Sequence, residues 1–184
     1  VPYKLSALPS HVFFGCTSLT SVTLPDTVTY ISDRCFSECI SLTDITLPDE
    51  LRSIDSFAFE NCKSLEKINT PSELTNINNG AFSGCESLKE IRLPRSVVHI
   101  GYDAFKDCDN LTVYGKPNTS AYYYAKRNDI PFKVEVENPE AATVSIAAAV
   151  VIWLLVAAVV AIFCVKGAKK AGNADSGNKS GGNA

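Results

Sequence analysis

The stretch Ala81-Phe82-Ser83-Gly84-Cys85-Glu86-Ser87-Leu88-Lys89-Glu90-Ile91-Arg92-Leu93-Pro94, closed by Val97 and Ile100, decides the fold, because its pattern returns every 23 residues. Cys85 stands in a column with Cys16, Cys39, Cys62 and Cys108, and Phe82 with Phe13, Phe36, Phe59 and Phe105. Leu88 repeats Leu19, Leu42, Leu65 and Leu111, and Ile91 repeats Val22, Ile45 and Ile68. Leu93 matches Leu24 and Leu47, with Thr70 as the exception, and Pro94 matches Pro25, Pro48, Pro71 and Pro117. Val97 follows Val28, Leu51 and Leu74, and Ile100 follows Ile31, Ile54 and Ile77. One supersecondary unit of this size cannot bury its apolar edge alone and must lay it against the next copy.

The L-x-x-[VI]-x-L core of the unit predicts a leucine-rich repeat solenoid. Leu19, Val22 and Leu24 outline one short strand per coil, and copies of it stack in parallel. Pro25 and its counterparts sit just past the strand, where a missing backbone donor costs no ladder hydrogen bond. The pairs Ala58-Phe59, Ala81-Phe82 and Ala104-Phe105 predict a short helical or 3₁₀ turn, with stacked phenylalanines filling the coil interior.

The pattern I-x-x-x-A-F-x-x-C-x-S-L-x-x-I-x-L-P-x-x-V-x-x-I resembles the BspA-like leucine-rich repeats over about residues 1–134. That resemblance implies a surface protein of a host-associated bacterium or parasitic protist, with a role in adhesion to host cells and matrix proteins. Val113-Tyr114-Gly115-Lys116-Pro117, Ser120 to Lys126 and Ile130 to Val134 resemble the family's terminal unit, a short helix and a last strand that close the stack. The domains are then about five repeats over 1–117, starting mid-repeat, and a capping unit over 118–134. Val1 aligns with Leu24, inside a repeat, and the chain holds no methionine, so further repeats are expected before Val1.

Composition changes after Val134. Residues 135–142 form an acidic, proline-bearing linker, and no charge occurs from Ala141 to Val165. A helix over 143–165 would extend about 34 Å at 1.5 Å per residue, enough for a hydrocarbon core of about 30 Å. A single transmembrane helix contacting lipid is expected there. Glu135, Glu137 and Glu140 precede it and Lys166, Lys169 and Lys170 follow, which places the repeats outside and the tail, 166–184, in the cytoplasm. The tail is rich in Gly, Asn and Ser and has too little apolar content to fold. Cys164, at the inner membrane edge, is a palmitoylation candidate, with a plain lipid-facing cysteine as the alternative. Asn110-Leu111-Thr112 and Asn118-Thr119-Ser120 are glycosylation candidates, at Asn110 and Asn118, if the cell is eukaryotic.

Net charge is −3, but residues 1–142 hold 13 basic and 19 acidic side chains, a balance that argues against nucleic acid as a partner. The chain carries no Gly-x-Ser-x-Gly, no phosphate-binding loop and no His-Glu-x-x-His, and its two histidines, His11 and His99, occupy variable turn positions. It is not expected to be an enzyme or to need a cofactor. Cysteines 23 apart lack the close-paired spacing of zinc sites. Adjacent coils would hold them within bonding range, yet an in-register ladder gives each inner cysteine two equal neighbours, and apolar company favours buried thiols. Cys35, in the slot of Ala58, Ala81 and Ala104, reads as a small apolar filler.

What varies between coils is the solvent side of the strands, the concave surface of such a solenoid. Its columns read Ser21, Asp44, Lys67 and Glu90, then Thr23, Thr46, Asn69 and Arg92. These eight residues are the binding candidates for an extracellular protein or glycan. A mutually screening solvated row is the alternative for the charges. Tyr122, Tyr123 and Tyr124 form a second candidate patch, with packing under the cap the favoured role. The functional expectation is an adhesin; a stalk projecting more distal repeats and a receptor-like protein without catalytic activity are the competing readings.

Overall fold

A computed structural model describes residues 5–135, and the fold is a parallel β-solenoid of about six turns. Each coil carries two strand positions rather than the single one expected. The first set comprises β2 (Ser21–Thr23), β4 (Asp44–Thr46), β7 (Glu90–Arg92) and β9 (Thr112–Gly115). The second comprises β1 (Ala7–Leu8), β3 (Tyr30–Ile31), β5 (Ser53–Ile54), β6 (Asn76–Ile77) and β8 (His99–Ile100). The second set forms an unbroken five-stranded parallel sheet. Its sequence signal is the Val28-x-x-Ile31 column, whose isoleucines face the core, while the residue before each ranges from exposed, as Tyr30 and His99, to buried, as Ser53. His99 therefore lies on a strand, not in a turn.

The prolines do more than end a strand. Val28, Leu51, Leu74 and Val97 each donate a backbone N–H to the carbonyl of Pro25, Pro48, Pro71 and Pro94, at 3.0–3.1 Å. Each Pro-x-x-[Val/Leu] is thus a tight turn between the two strand positions of one coil, with proline first in the turn, where only its carbonyl is needed.

The third side of the coil corrects the expected helical or 3₁₀ turn. Residues such as 33–38 form consecutive turns in which alternate amides point in different directions. Arg34, Phe36 and Glu38 donate to the carbonyls of Ser56, Ala58 and Glu60 in the next coil, while Cys35, Ser37 and Cys39 donate back three residues within their own. The same three-bond ladder joins Phe57, Phe59 and Asn61 to Asn79, Ala81 and Ser83, and joins Gly80, Phe82 and Gly84 to Tyr102, Ala104 and Lys106. Two left-handed residues, four apart, recur in every coil: His11, Arg34, Phe57, Gly80 and Asp103 in one column, and Gly15, Glu38, Asn61, Gly84 and Asp107 in the other. A left-handed residue at every fourth position interrupts helix propagation and turns amides outward to the neighbouring coil.

Inside, the phenylalanines stack as expected. Ring centroids from Phe13 through Phe36, Phe59 and Phe82 to Phe105 are 5.0, 5.2, 5.2 and 5.4 Å apart, and the ring planes are nearly parallel. The cysteine ladder runs beside them as free thiols. Cys39, Cys62, Cys85 and Cys108 donate Sγ–H to the carbonyls of Phe13, Phe36, Phe59 and Phe82 of the preceding coil at 3.1–3.2 Å. Burial pushes these thiols up, Cys39 to about 11 and Cys35 and Cys108 to about 12 from an ordinary 9.0. Cys16, in the first coil, is exposed. Leu5, Val12 and Phe14 are also exposed at that end, where side chains buried in later coils meet solvent.

The last coil is closed differently. The helix α1 (Ser120–Arg127) is the only helix among the described residues, capped by Thr119, whose side chain accepts the Tyr122 N–H. Tyr124 sets its ring edge-on to Phe105 at 5.8 Å, and its hydroxyl accepts the Phe105 N–H at 3.3 Å, the amide that in every earlier coil meets a carbonyl of the next. The strand β10 (Phe132–Val134) pairs with β9. Among the described residues no helix is long and apolar enough to cross a membrane, and the expected span over 143–165, the tail and Cys164 lie outside them.

Phe59→Ala should cost about 3–5 kcal/mol in denaturant unfolding, well above the cost of Phe13→Ala at the half-exposed end; equal costs would contradict the continuous stack. In the folded state the raised thiols keep their protons between pH 9 and pH 11–12, while the unfolded chain loses them. Stability is therefore fully present below pH 9 and falls through that window. Site-resolved alkylation at pH 8 should label Cys16 rapidly and Cys39, Cys62, Cys85 and Cys108 only after denaturation.

Candidate binding site on the strand face

The eight outward residues named from the sequence do not form one continuous sheet. Ser21, Thr23, Asp44 and Thr46 lie on β2 and β4, which pair with each other. Glu90 and Arg92 lie on β7, which pairs with β9 in a separate sheet whose third strand is β10. Lys67 and Asn69 lie between, in a coil without a first strand: only an isolated bridge, Lys67 to Glu90, remains there.

The break has a local cause. The Asn69 carboxamide takes the place of a strand backbone, its Oδ1 accepting the Leu47 N–H at 2.7 Å and its Nδ2 donating to the Leu47 carbonyl at 2.9 Å. The next residue, Thr70, is the exception in the leucine column, and its hydroxyl donates to the Arg92 carbonyl. A leucine at that place would point inward, as Leu47 and Leu93 do, both 1% exposed. Threonine can instead satisfy a backbone carbonyl on the surface. The sequence therefore carried the signal in Thr70, but its effect, a sheet divided in two, needed the side-chain geometry.

At the break lies a shallow cleft of about 340 Å³, lined by Lys67, Asn69, Thr70, Glu90 and Arg92, with Ile68 and Pro94 as its apolar part and Glu135 at its edge. Arg92 is held from three sides. Its guanidinium bonds Glu90 at 2.8 Å, approaches Glu135 at 4.0 Å and lies 4.6 Å over the Tyr114 ring. Such contacts fix the orientation of a long side chain that would otherwise lose rotamer freedom on binding. The alternating Asp44, Lys67, Glu90 row is not a chain of ion pairs: the described pairs instead join Lys63 to Glu86, Lys89 to Glu66, and Arg34 to Glu60. Chemically, the cleft offers one amide, one hydroxyl, both signs of charge and a small apolar floor. That set suits contact with a polar loop of a protein and holds no nucleophile paired with a base.

A BspA-type leucine-rich repeat model matches residues 1–125 in six copies. The chain belongs to the BspA-type leucine-rich repeat family. This BspA-type chain is similar to a leucine-rich repeat protein of T. pallidum, with 42% identity and a TM-score of 0.58 over 59% of this chain and 51% of that one. It is also similar to a leucine-rich repeat protein from Bacteroides ovatus, with 34% identity and a TM-score of 0.59 over 64% of this chain and 32% of that one. The BspA-type chain thus spans about half the length of the first structure and a third of the second. No curated protein matches it at a significant level. Repeat solenoids of this kind are interaction scaffolds with an extended binding surface, and neither the family nor these structures assigns catalysis.

The remaining sequence candidates fall elsewhere. Asn110 and Asn118 are both exposed, Asn118 in the left-handed region with φ 59°. Tyr124 is the packing tyrosine, Tyr122 is half-buried against Phe132, and Tyr123 is exposed.

Replacing Asn69 by alanine leaves the Leu47 N–H and carbonyl without their partner. The expected cost is about 1–3 kcal/mol, with faster hydrogen exchange at the Leu47 amide; unchanged exchange would show that the carboxamide does not hold this strand.

Proposed function

We propose that the chain is a cell-surface binding protein, an adhesin whose strand face engages an extracellular protein. The observation that carries this reading is the cleft at the third coil, where Lys67, Asn69, Glu90 and Arg92 converge with Arg92 already oriented. A regular stack would present a flat row of screened charges; the interrupted one presents a concave, chemically mixed feature on an otherwise repetitive surface. Surface placement is supported by the uncharged run within 141–165 and by the acidic residues before it and lysines after it. In this reading a single span over 143–165 meets lipid, the repeats lie outside and the C-terminus lies in the cytoplasm. Asn110 and Asn118 would carry glycans in a eukaryotic cell, and Cys164 would accept palmitate.

The test is binding of the full chain to cultured cells and to a panel of extracellular-matrix proteins, beside the variant Asp44→Lys, Lys67→Glu, Glu90→Lys, Arg92→Glu. Saturable binding that weakens at least tenfold in the folded variant is the expected result. No binding by the folded parent chain would replace the adhesin with a stalk that projects other repeats.

A further inference from the structure

Charge is distributed unevenly between the repeats and their cap. Residues 1–117 hold ten basic and fifteen acidic side chains, whereas residues 118–134 hold three basic and one acidic, Asp129. Within that basic cap, α1 buries Ala121, Tyr124 and Ala125 and turns Tyr123, Lys126 and Arg127 outward. Positions 123 and 127 are one helical turn apart and share a face. Where this face meets β8, a hollow of about 300 Å³ opens, lined by Val98, His99, Ile100, Ser120, Tyr123, Tyr124 and Arg127. The Ser120 hydroxyl donates to the Val98 carbonyl at 2.9 Å, which joins the start of the helix to the edge of the last coil and leaves the oxygen lone pairs free to accept.

Two features of the hollow are unexplained by packing. Val98 is 70% exposed and Tyr123 is 53% exposed, so apolar surface is presented to solvent at a place where the cap could have covered it. Among the described residues Arg127 forms no ion pair. The helix dipole accounts for basic residues in the last turn of α1, and so for Lys126 as much as Arg127, but not for an aromatic ring and an aliphatic side chain exposed beside one of them.

We infer that this hollow, separate from the strand-face cleft, binds the carboxylate-bearing terminal sugar of an acidic glycan. The Arg127 guanidinium matches a carboxylate with two parallel N–H donors. Tyr123 and Val98 provide the flat apolar surface on which the C–H face of a pyranose rests. His99 and Ser120 supply polar partners for ring hydroxyls. The volume sits at the lower limit for ligand pockets, roughly 300 Å³, and so admits one sugar residue, not a segment of polymer.

The experiment is saturation-transfer NMR on the full 184-residue chain with N-acetylneuraminic acid, glucuronic acid and, as the neutral counterpart, galactose. Transfer to at least one acidic sugar and none to galactose is expected. Arg127→Ala should weaken the response at least tenfold, Tyr123→Ala should weaken it severalfold, and Lys126→Ala should leave it within twofold. Protection of Cys108 from alkylation verifies that each variant keeps its fold. Arg127→Lys, which keeps the charge but not the paired donors, should fall between the parent and the alanine variant. Absence of transfer from both acidic sugars, equal transfer from galactose, or an unchanged response in Arg127→Ala would overturn the assignment. Binding of heparin that survives Arg127→Ala, with no acidic monosaccharide bound, would overturn it too, by showing only general attraction of a polyanion to the basic cap. The strand-face charge reversal leaves these residues untouched, so the two readings can fail separately.

Discussion

Every coil of this protein depends on a backbone ladder that runs at right angles to the chain on the turn side. Alternate amides at positions such as Arg34, Phe36 and Glu38 reach the next coil, while those between them close turns within their own. The arrangement requires left-handed backbone at two fixed places per coil. It also requires every coil to have the same length, since one extra residue would set donors against donors. The 23-residue period is therefore a hydrogen-bonding constraint as well as a packing one. The phenylalanine stack and the thiol-to-carbonyl bonds lie directly behind the same ladder, so polar and apolar registers support each other. Glycine occupies the left-handed columns at Gly80 and Gly84, but Arg34, Phe57 and Asp103 do so too, which shows that the ladder is strong enough to hold residues that carry a Cβ.

Against that regularity, the third coil stands out because only its strand departs. Its phenylalanine, cysteine and turn ladder are intact, so the coil remains in register. The departure is confined to Asn69 and Thr70, whose side chains take over hydrogen bonds that a strand backbone would have made. Local irregularity on a rigid frame is how a repeat surface acquires an individual feature. Arg92, which lines the cleft, is held by Tyr114 and Glu135 from outside its own coil, so its orientation is a property of the stack rather than of one repeat.

The cap solves a different problem. A solenoid's last coil ends in amides with no following coil to accept them, and here the Tyr124 hydroxyl takes one of them while its ring covers Phe105. The helix that delivers Tyr124 to the core leaves Tyr123 and Arg127, on the adjoining flank, exposed to solvent. Capping and the hollow beside β8 thus arise from the same eight residues.

How much was legible beforehand follows from the range of the interactions involved. The repeat, its period, the stacked phenylalanines, the buried thiols and the position of the cap are set by residue type at fixed spacing, and so can be read from the chain. The outward columns were legible for the same reason, since side chains alternate along a strand. The second strand of each coil was missed because two residues are too short to show alternation, and the turn ladder was mistaken for a helical turn because left-handed residues as varied as His11, Phe57 and Asp103 give no common signal. The sequence places His99 at a variable turn position without partners, because the residues that meet it in the hollow come from α1, some 20 residues later. By itself the sequence determined a stack of identical coils, because apolar spacing and coil length are local quantities repeated many times. Only the tertiary structure decided where that stack is broken and what meets at the break. Those outcomes depend on single side chains, such as Asn69 and Tyr124, reaching backbone groups in another coil, and no periodicity encodes a bond that occurs once.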